Sequence, residues 1–232
     1  MSYSYPVRSA TPFRPPYLVL NWAATENGGE LGSLEFTNIV EKNSSGDSSE
    51  RLVLKGSGTT RVGNLSPDGK FLVYSAFGGN TDADIFVLPM MGDRKPIPIV
   101  QTQFRDMDPQ FSPDGKWIAY ASNESGKMEV YIQPFPTSGS KWQVSNGGGT
   151  QPIWRRDGKE LFFITEDRKL YAADIRAGST FEFGTPHFLF DVRGNGYAPS
   201  RDGQRFLVNM SLDPVSSPIN VVVNWTADLT PK

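Results

Sequence analysis

The sequence predicts an all-β fold, a β-propeller of about five four-stranded blades, and three observations carry that expectation. A ten-residue motif recurs without gaps along the chain. Turn formers are abundant, with 23 Gly and 18 Pro in 232 residues, and show no collagen-like period. The strands that follow the motif are apolar on both faces rather than alternating.

The motif reads Leu65-Ser-Pro-Asp-Gly-Lys-Phe-Leu-Val-Tyr74, Phe111-Ser-Pro-Asp-Gly-Lys-Trp-Ile-Ala-Tyr120, Trp154-Arg-Arg-Asp-Gly-Lys-Glu-Leu-Phe-Phe163 and Pro199-Ser-Arg-Asp-Gly-Gln-Arg-Phe-Leu-Val208. Its turn pairs are Asp68 and Gly69, Asp114 and Gly115, Asp157 and Gly158, and Asp202 and Gly203, at steps of 46, 43 and 45 residues. A fixed period of this length marks a repeated supersecondary unit. Asp-Gly predicts a two-residue hairpin turn. Glycine takes positive φ without a steric cost, and aspartate hydrogen-bonds its own backbone. The runs 70–74 and 116–120 suit strands covered on both faces, as in a sheet stacked between two others.

Third strands are expected at 84–88, 129–133, 169–174 and 220–225, and weaker fourth strands at 98–101, 141–144 and 187–190. Four strands per repeat make a propeller blade. The blades then span about residues 17–58, 59–104, 105–146, 147–192 and 193–229. The first is a degraded copy, with strands at 17–22, 33–40 and 51–54. Residues 1–16 form an N-terminal extension, in which 2–7 would donate a closing strand to the last blade. The competing arrangement is an incomplete arc of a larger propeller with a sheet edge left open.

Composition narrows the function. With 23 Lys+Arg against 25 Asp+Glu, the chain lacks the basic footprint of a nucleic-acid binder. No cysteine is present, which excludes disulfides, thiolate metal sites and thiol nucleophiles. No run reaches the ~20 apolar residues that span a bilayer, and residues 1–16 lack the apolar run of a signal peptide. A monomer without direct membrane insertion is expected.

Catalytic motifs are sparse. The single histidine, His187, lies in the apolar run Pro186-His-Phe-Leu-Phe190 and reads as a buried or edge-strand residue. There is no Gly-x-Ser-x-Gly elbow, no phosphate-binding Gly-Lys-Ser/Thr loop and no kinase glycine loop. Asn80-Thr-Asp82-Ala-Asp84 mimics the start of a calcium loop but lacks its glycine and distal glutamate. The reading is therefore a non-enzyme with no cofactor and no metal.

In a propeller, the loops entering the innermost strands form the binding face. That geometry selects Arg105, Asp106, Asp108, Asn146, Gln151, Asn195 and Tyr197 at the channel mouth, with Asn123 and Glu124 at its rim. Trp117, Trp142, Trp154 and Trp225 are expected between blades.

Together with Asp84-Ile-Phe-Val-Leu-Pro89, Tyr131-Ile-Gln-Pro-Phe-Pro136, Lys141-Trp-Gln-Val-Ser145, Gly147-Gly-Gly-Thr-Gln-Pro152 and Asn224-Trp-Thr-Ala-Asp-Leu229, the motif resembles the WD40-like repeat of TolB-type propellers. It is most similar to the C-terminal sensor propeller of bacterial receptor-like serine/threonine kinases. The resemblance runs from about residue 60 to the end. It implies a non-catalytic binding or scaffold domain, periplasmic or extracytoplasmic, whose partner is a protein, a peptide or a small molecule. Two alternatives stand beside it. One is a lyase- or lactonase-type propeller enzyme with a metal in its channel, which needs several carboxylates or histidines converging there. The other is a truncated fragment of such a kinase.

Overall fold

The computed structural model describes residues 17–23, 37–43, 50–78, 81–177, 181–194 and 196–209. Among them every regular element is a strand. The first sheet sets β1 (Tyr17–Ala23), β2 (Thr37–Asn43) and β3 (Glu50–Leu54) side by side. The second holds β4 (Thr60–Leu65), β5 (Phe71–Phe77), β6 (Ala83–Pro89) and β7 (Ile97–Val100). The third holds β8 (Asp106–Phe111), β9 (Trp117–Ser122), β10 (Glu129–Pro134) and β11 (Trp142–Gln143). In the fourth, β12 (Thr150–Trp154), β13 (Glu160–Ile164) and β14 (Lys169–Ala177) follow in order. The outer edge of β14 then pairs with β15 (Phe181–Phe183) at one end and β16 (His187–Asp191) at the other. The fifth is the hairpin of β17 (Gly196–Pro199) and β18 (Phe206–Asn209). Neighbours within each sheet are antiparallel and follow chain order, the meander of a propeller blade.

The repeated turn differs in detail from the expected two-residue hairpin. Gly69 N–H donates to the Ser66 carbonyl at 2.8 Å, and Ser66 N–H donates to the Phe71 carbonyl at 2.8 Å. The loop is thus the four residues from Pro67 to Lys70, built on a type I turn whose fourth residue is left-handed, with Gly69 at φ 71°. The reason lies one residue upstream of the Asp-Gly pair. Proline presets the φ of the turn's second position, and Ser66 closes the loop from both sides. Its hydroxyl donates to Asp68 at 2.6 Å and accepts from Phe71 N–H at 3.0 Å, while Asp68 also accepts from Lys70 N–H. These donors hold the Asp68 carboxyl below the usual range, the Ser66 bond contributing most. Ser112 with Asp114, and Ser200 with Asp202, repeat the lock. In the third copy Arg155 stands where serine would, and its guanidinium grips Asp157 through Nε at 2.7 Å and Nη2 at 2.9 Å.

A Cβ added at Gly69 would meet nothing within 4 Å, so Gly69→Ala isolates the cost of backbone conformation. Urea unfolding of that variant should show a loss of about 1 kcal/mol. A loss near zero would mean that the turn relaxes to another type.

The both-faces-apolar strands find their partners between sheets. Leu72 and Tyr74 face the first sheet, packing with Ile39, Val53, Leu88 and Met90. Val73, between them in sequence, faces the third sheet with Phe111, Ile118, Tyr120 and Tyr131. Ala119, Val130, Ile132 and Trp154 pack between the third and fourth sheets, with Trp117 and Trp142 at the margin. Phe162, Leu170 and Tyr197 fill the layer between the fourth and fifth. Four apolar layers between five sheets account for the hydrophobic runs of β5, β9 and β13, whereas Leu207 on β18 is exposed.

The first sheet departs from expectation at β2, which lies over Thr37–Asn43 rather than 33–40. Apolar pattern alone cannot place it, because the strand buries a charge. Glu41 is buried and ion-paired with Arg51 and, at 3.7 Å, with Arg94. Among the described residues the five sheets form an open arc, since the first and fifth share no ladder. The expected closing strand at 2–7 and third strand at 220–225 lie outside the described residues, as does Trp225.

Candidate binding site at the channel mouth

The first strands of successive sheets lie against one another. Asn64 on β4 exchanges two hydrogen bonds with the Phe111 backbone on β8, at 2.7 and 3.2 Å. Trp154 on β12 donates its indole N–H to the Gln110 carbonyl at 3.3 Å. Tyr197 on β17 donates its hydroxyl to the Gln151 carbonyl at 2.9 Å. These contacts make β4, β8, β12 and β17 the inner strands, so their N-terminal ends form the mouth.

The second, third and fourth sheets break register at the same point of their inner strands. The shifts fall between Val62 and Leu65, Met107 and Gln110, and Thr150 and Ile153. In the third and fourth sheets the bulge forces a non-glycine residue into left-handed backbone, Asp108 at φ 54° and Gln151 at φ 52°. Each such residue costs about 1–3 kcal/mol and persists only where its surroundings over-determine it. The Gln151 backbone N–H favours the charged form of the Asp108 carboxyl.

Two cations flank that carboxylate. Arg61 and Arg105 both lie over the Phe77 ring, at 5.1 and 5.9 Å from its centroid. Arg105 also stands 3.8 Å from Asp82. Burial pushes the Asp108 carboxyl up, against the opposing pull of Arg61, the Gln151 N–H and Arg105. Burial pushes the Tyr197 phenol well above its ordinary value, and the Asp108 charge adds to the shift. The result is a half-buried carboxyl at one bulge, with two guanidinium groups held on one aromatic ring. Such a pair of planar cations suits bidentate capture of a carboxylate or similar oxyanion.

Of the residues selected from sequence, the fold brings together Arg105, Asp108, Gln151 and Tyr197. Arg61 and Phe77 join them, and sequence reading missed both. Their signal was positional only, at the start of the second sheet's inner strand and the end of its second strand. Asp106 is buried and accepts from the Thr102 hydroxyl at 2.7 Å. Burial raises its carboxyl, which hydrogen bonds from Ser122 and Thr102 oppose. Asn123 accepts the Arg105 backbone N–H at 2.8 Å, so it positions that arginine. Glu124 is ion-paired with Lys141, which lies over the Tyr131 ring. Asn146 lines a different surface groove, beside Phe183 and Pro186. Asn195 lies outside the described residues. His187 is exposed on the edge strand β16. Among the described residues, no group of three or more carboxylate or histidine side chains converges to hold a metal ion.

No family model matches the chain. Over 114 residues it is 35% identical to an uncharacterized peptidase, YuxL, of Bacillus subtilis, an overlap of 45% of this chain and 17% of that protein. The solved structure of a putative TolB from Agrobacterium tumefaciens aligns with a TM-score of 0.62 and 19% identity, covering 76% of this chain and 62% of that one. An oligogalacturonate lyase solved in complex with manganese aligns with a TM-score of 0.60 and 11% identity, covering 83% and 58%. In fold the chain is a β-propeller, similar to the propellers of TolB proteins. The expectation of a non-enzyme is corrected by these findings, because the sequence relative is named a peptidase and lyase and lactonase propellers stand among the fold neighbours. The reason is physical. The repeat fixes a scaffold, and one scaffold carries both binding and catalytic functions.

Proposed function

We propose that this chain is the substrate-selecting propeller of a peptidase-type enzyme, and that its channel mouth engages a peptide through a carboxylate held by Arg61 and Arg105. The observation that carries this reading is the 35% identity to a peptidase over 114 residues, although the chain spans only 17% of that protein's length. The mouth supports it. Two arginines share the Phe77 ring; among the described residues Arg61 has no ion-pair partner, and Arg105 has only the long 3.8 Å contact with Asp82, which an incoming anion can displace. The strained residues Asp108 and Gln151 set the spacing of this mouth in advance, which lowers the cost of ordering it around a ligand. The ligand-sensing role implied by the kinase-type motifs would use the same mouth, and the peptidase relative favours the enzyme-linked reading over it.

The test is a calorimetric titration of the purified chain with short peptides, each supplied as the free acid and as the C-terminal amide. Free acids should bind about tenfold tighter than the amides. Arg61→Ala and Arg105→Ala should each erase most of that difference while leaving the melting temperature within a few degrees. Equal binding of acid and amide would sink the carboxylate reading, and no binding of any peptide would sink the peptide reading.

A further inference from the structure

A second cavity opens between the third and fourth sheets, on the side of the repeated Asp-Gly turns, and the channel-mouth reading does not use it. Its volume is about 570 Å³, and its lining includes Trp117, Trp154, Asp114, Lys159, Asp174 and Arg176. That volume lies within the roughly 300–1,000 Å³ of small-molecule sites. The two indoles form its apolar wall. Trp117 is partly exposed and braced from behind, with Phe181 at 4.7 Å and Trp142 edge-on at 5.7 Å between ring centroids. Trp154 is held by its bond to the Gln110 carbonyl. Rings fixed in this way present a flat face at little entropic cost.

The polar lining divides into two sets. Arg155 pairs with both Asp157 and Glu160, with contacts of 2.6–2.9 Å, which leaves that set one negative charge in excess. The remaining charges are Asp114, Lys159, Asp174 and Arg176, and none has an ion-pair partner among the described residues. Asp114 accepts from Ser112 and Lys116 on Oδ1 alone. Asp174 stands directly across the β13–β14 ladder from Glu160, a like-charge pairing that costs stability in a sheet. These two negative and two positive groups cancel among themselves, so the lining as a whole carries a single excess negative charge and offers both donors and acceptors.

We infer that this cavity is a binding site for a neutral sugar. A pyranose ring offers an apolar face to Trp117 and hydroxyl groups to Asp114, Asp174, Lys159 and Arg176. The excess negative charge disfavours an anionic ligand, the unpaired Lys159 and Arg176 disfavour a cationic one, and the polar rim disfavours a purely apolar one.

The experiment is ligand-observed NMR and calorimetry on the whole chain with glucose, N-acetylglucosamine and their β-linked disaccharides, beside glucuronic acid and glucosamine. At least one neutral sugar should bind with a Kd of about 1 mM or tighter. Asp174→Ala should weaken that binding about tenfold or more. Asp174 is exposed, so that variant should keep the fold, which circular dichroism would check. Trp117→Ala should abolish binding and Trp117→Phe should restore part of it. The inference is overturned if no neutral sugar binds, if Asp174→Ala binds as the parent does, or if the charged sugars bind more tightly than the neutral ones. None of these outcomes depends on peptide binding at the mouth.

Discussion

Gly63→Ala should cost the protein about 3 kcal/mol or more of unfolding free energy, the upper end of what overpacking does. A Cβ on Gly63 would lie 2.1 Å from the Pro109 carbonyl oxygen and 3.0 Å from both Val73 Cγ1 and the Val73 carbonyl oxygen. Two of those three atoms are backbone, one on β8 and one on β5, so no rotamer change relieves the clash. The inner strands must move apart instead. That movement would break the paired Asn64 and Phe111 hydrogen bonds next door and loosen the layer that holds Val73 and Phe111. Urea unfolding at neutral pH measures the loss, and Gly69→Ala is the matched control in which only backbone conformation is disturbed. A loss for Gly63→Ala no larger than for Gly69→Ala would show that the inner strands can separate freely, and the close approach at the mouth would then have no structural weight. The variant should also weaken peptide binding, because Pro109 directly follows Asp108.

Glu129→Ala should be as damaging, with a loss of about 3–5 kcal/mol. Glu129 is wholly buried, and its carboxylate organises the loop that leads into β12. It accepts from the Ser145 hydroxyl and from the N–H groups of Gly147 and Gly148, both at 3.0 Å, with Lys127 at 3.5 Å. Ser145 in turn accepts the Val130 N–H at 2.7 Å. Alanine would leave three buried or half-buried donors without an acceptor. Glu129→Gln keeps the volume but turns a donor towards other donors, and should cost about 1–3 kcal/mol.

The pH dependence supplies a second reading of the same residue. Burial pushes the Glu129 carboxyl up, but the Ser145, Gly147 and Gly148 donors and the Lys127 charge outweigh it, so its net shift is downward from 4.5. A carboxyl with a depressed folded pKa contributes its stability above the unfolded value and loses it as pH falls through the folded one. The gap between parent and Glu129→Gln should therefore be full at pH 7 and shrink on acidification below about 4. A gap that stays constant with pH would mean that charge plays no part in holding the loop.

The repeat was legible because its information is local. Ser66, Pro67, Asp68 and Gly69 lie within one turn, and their bonds span two to five residues. The apolar strands were legible because a strand buried on both faces must be hydrophobic throughout, whatever it packs against. Of the turn, the residue content was readable and the type was not, because the Ser66 lock is a matter of hydrogen-bond geometry rather than of composition. β2 was misplaced because Glu41 is buried by ion pairs with Arg51 and Arg94, and arginines 10 and 53 residues further along leave no trace in a local pattern.

The mouth is a different case. Asp108 could be chosen as a polar residue entering an inner strand, but nothing in its neighbourhood names Arg61 or Tyr197 as companions. Asn64 meets Phe111 across 47 residues, Trp154 meets Gln110 across 44 and Tyr197 meets Gln151 across 46. Each separation is close to one repeat, so these three contacts join equivalent points of adjacent blades. The amino-acid sequence by itself determined the blade, its turns and its two apolar faces, since hydrogen bonding within a turn and burial of a strand act over short range. Only the tertiary structure decided which residues share the mouth and the indole-walled cavity. Those neighbours are brought together by stacking one sheet on the next, and stacking is set by the bulges and glycines that let inner strands approach rather than by any pattern along the chain.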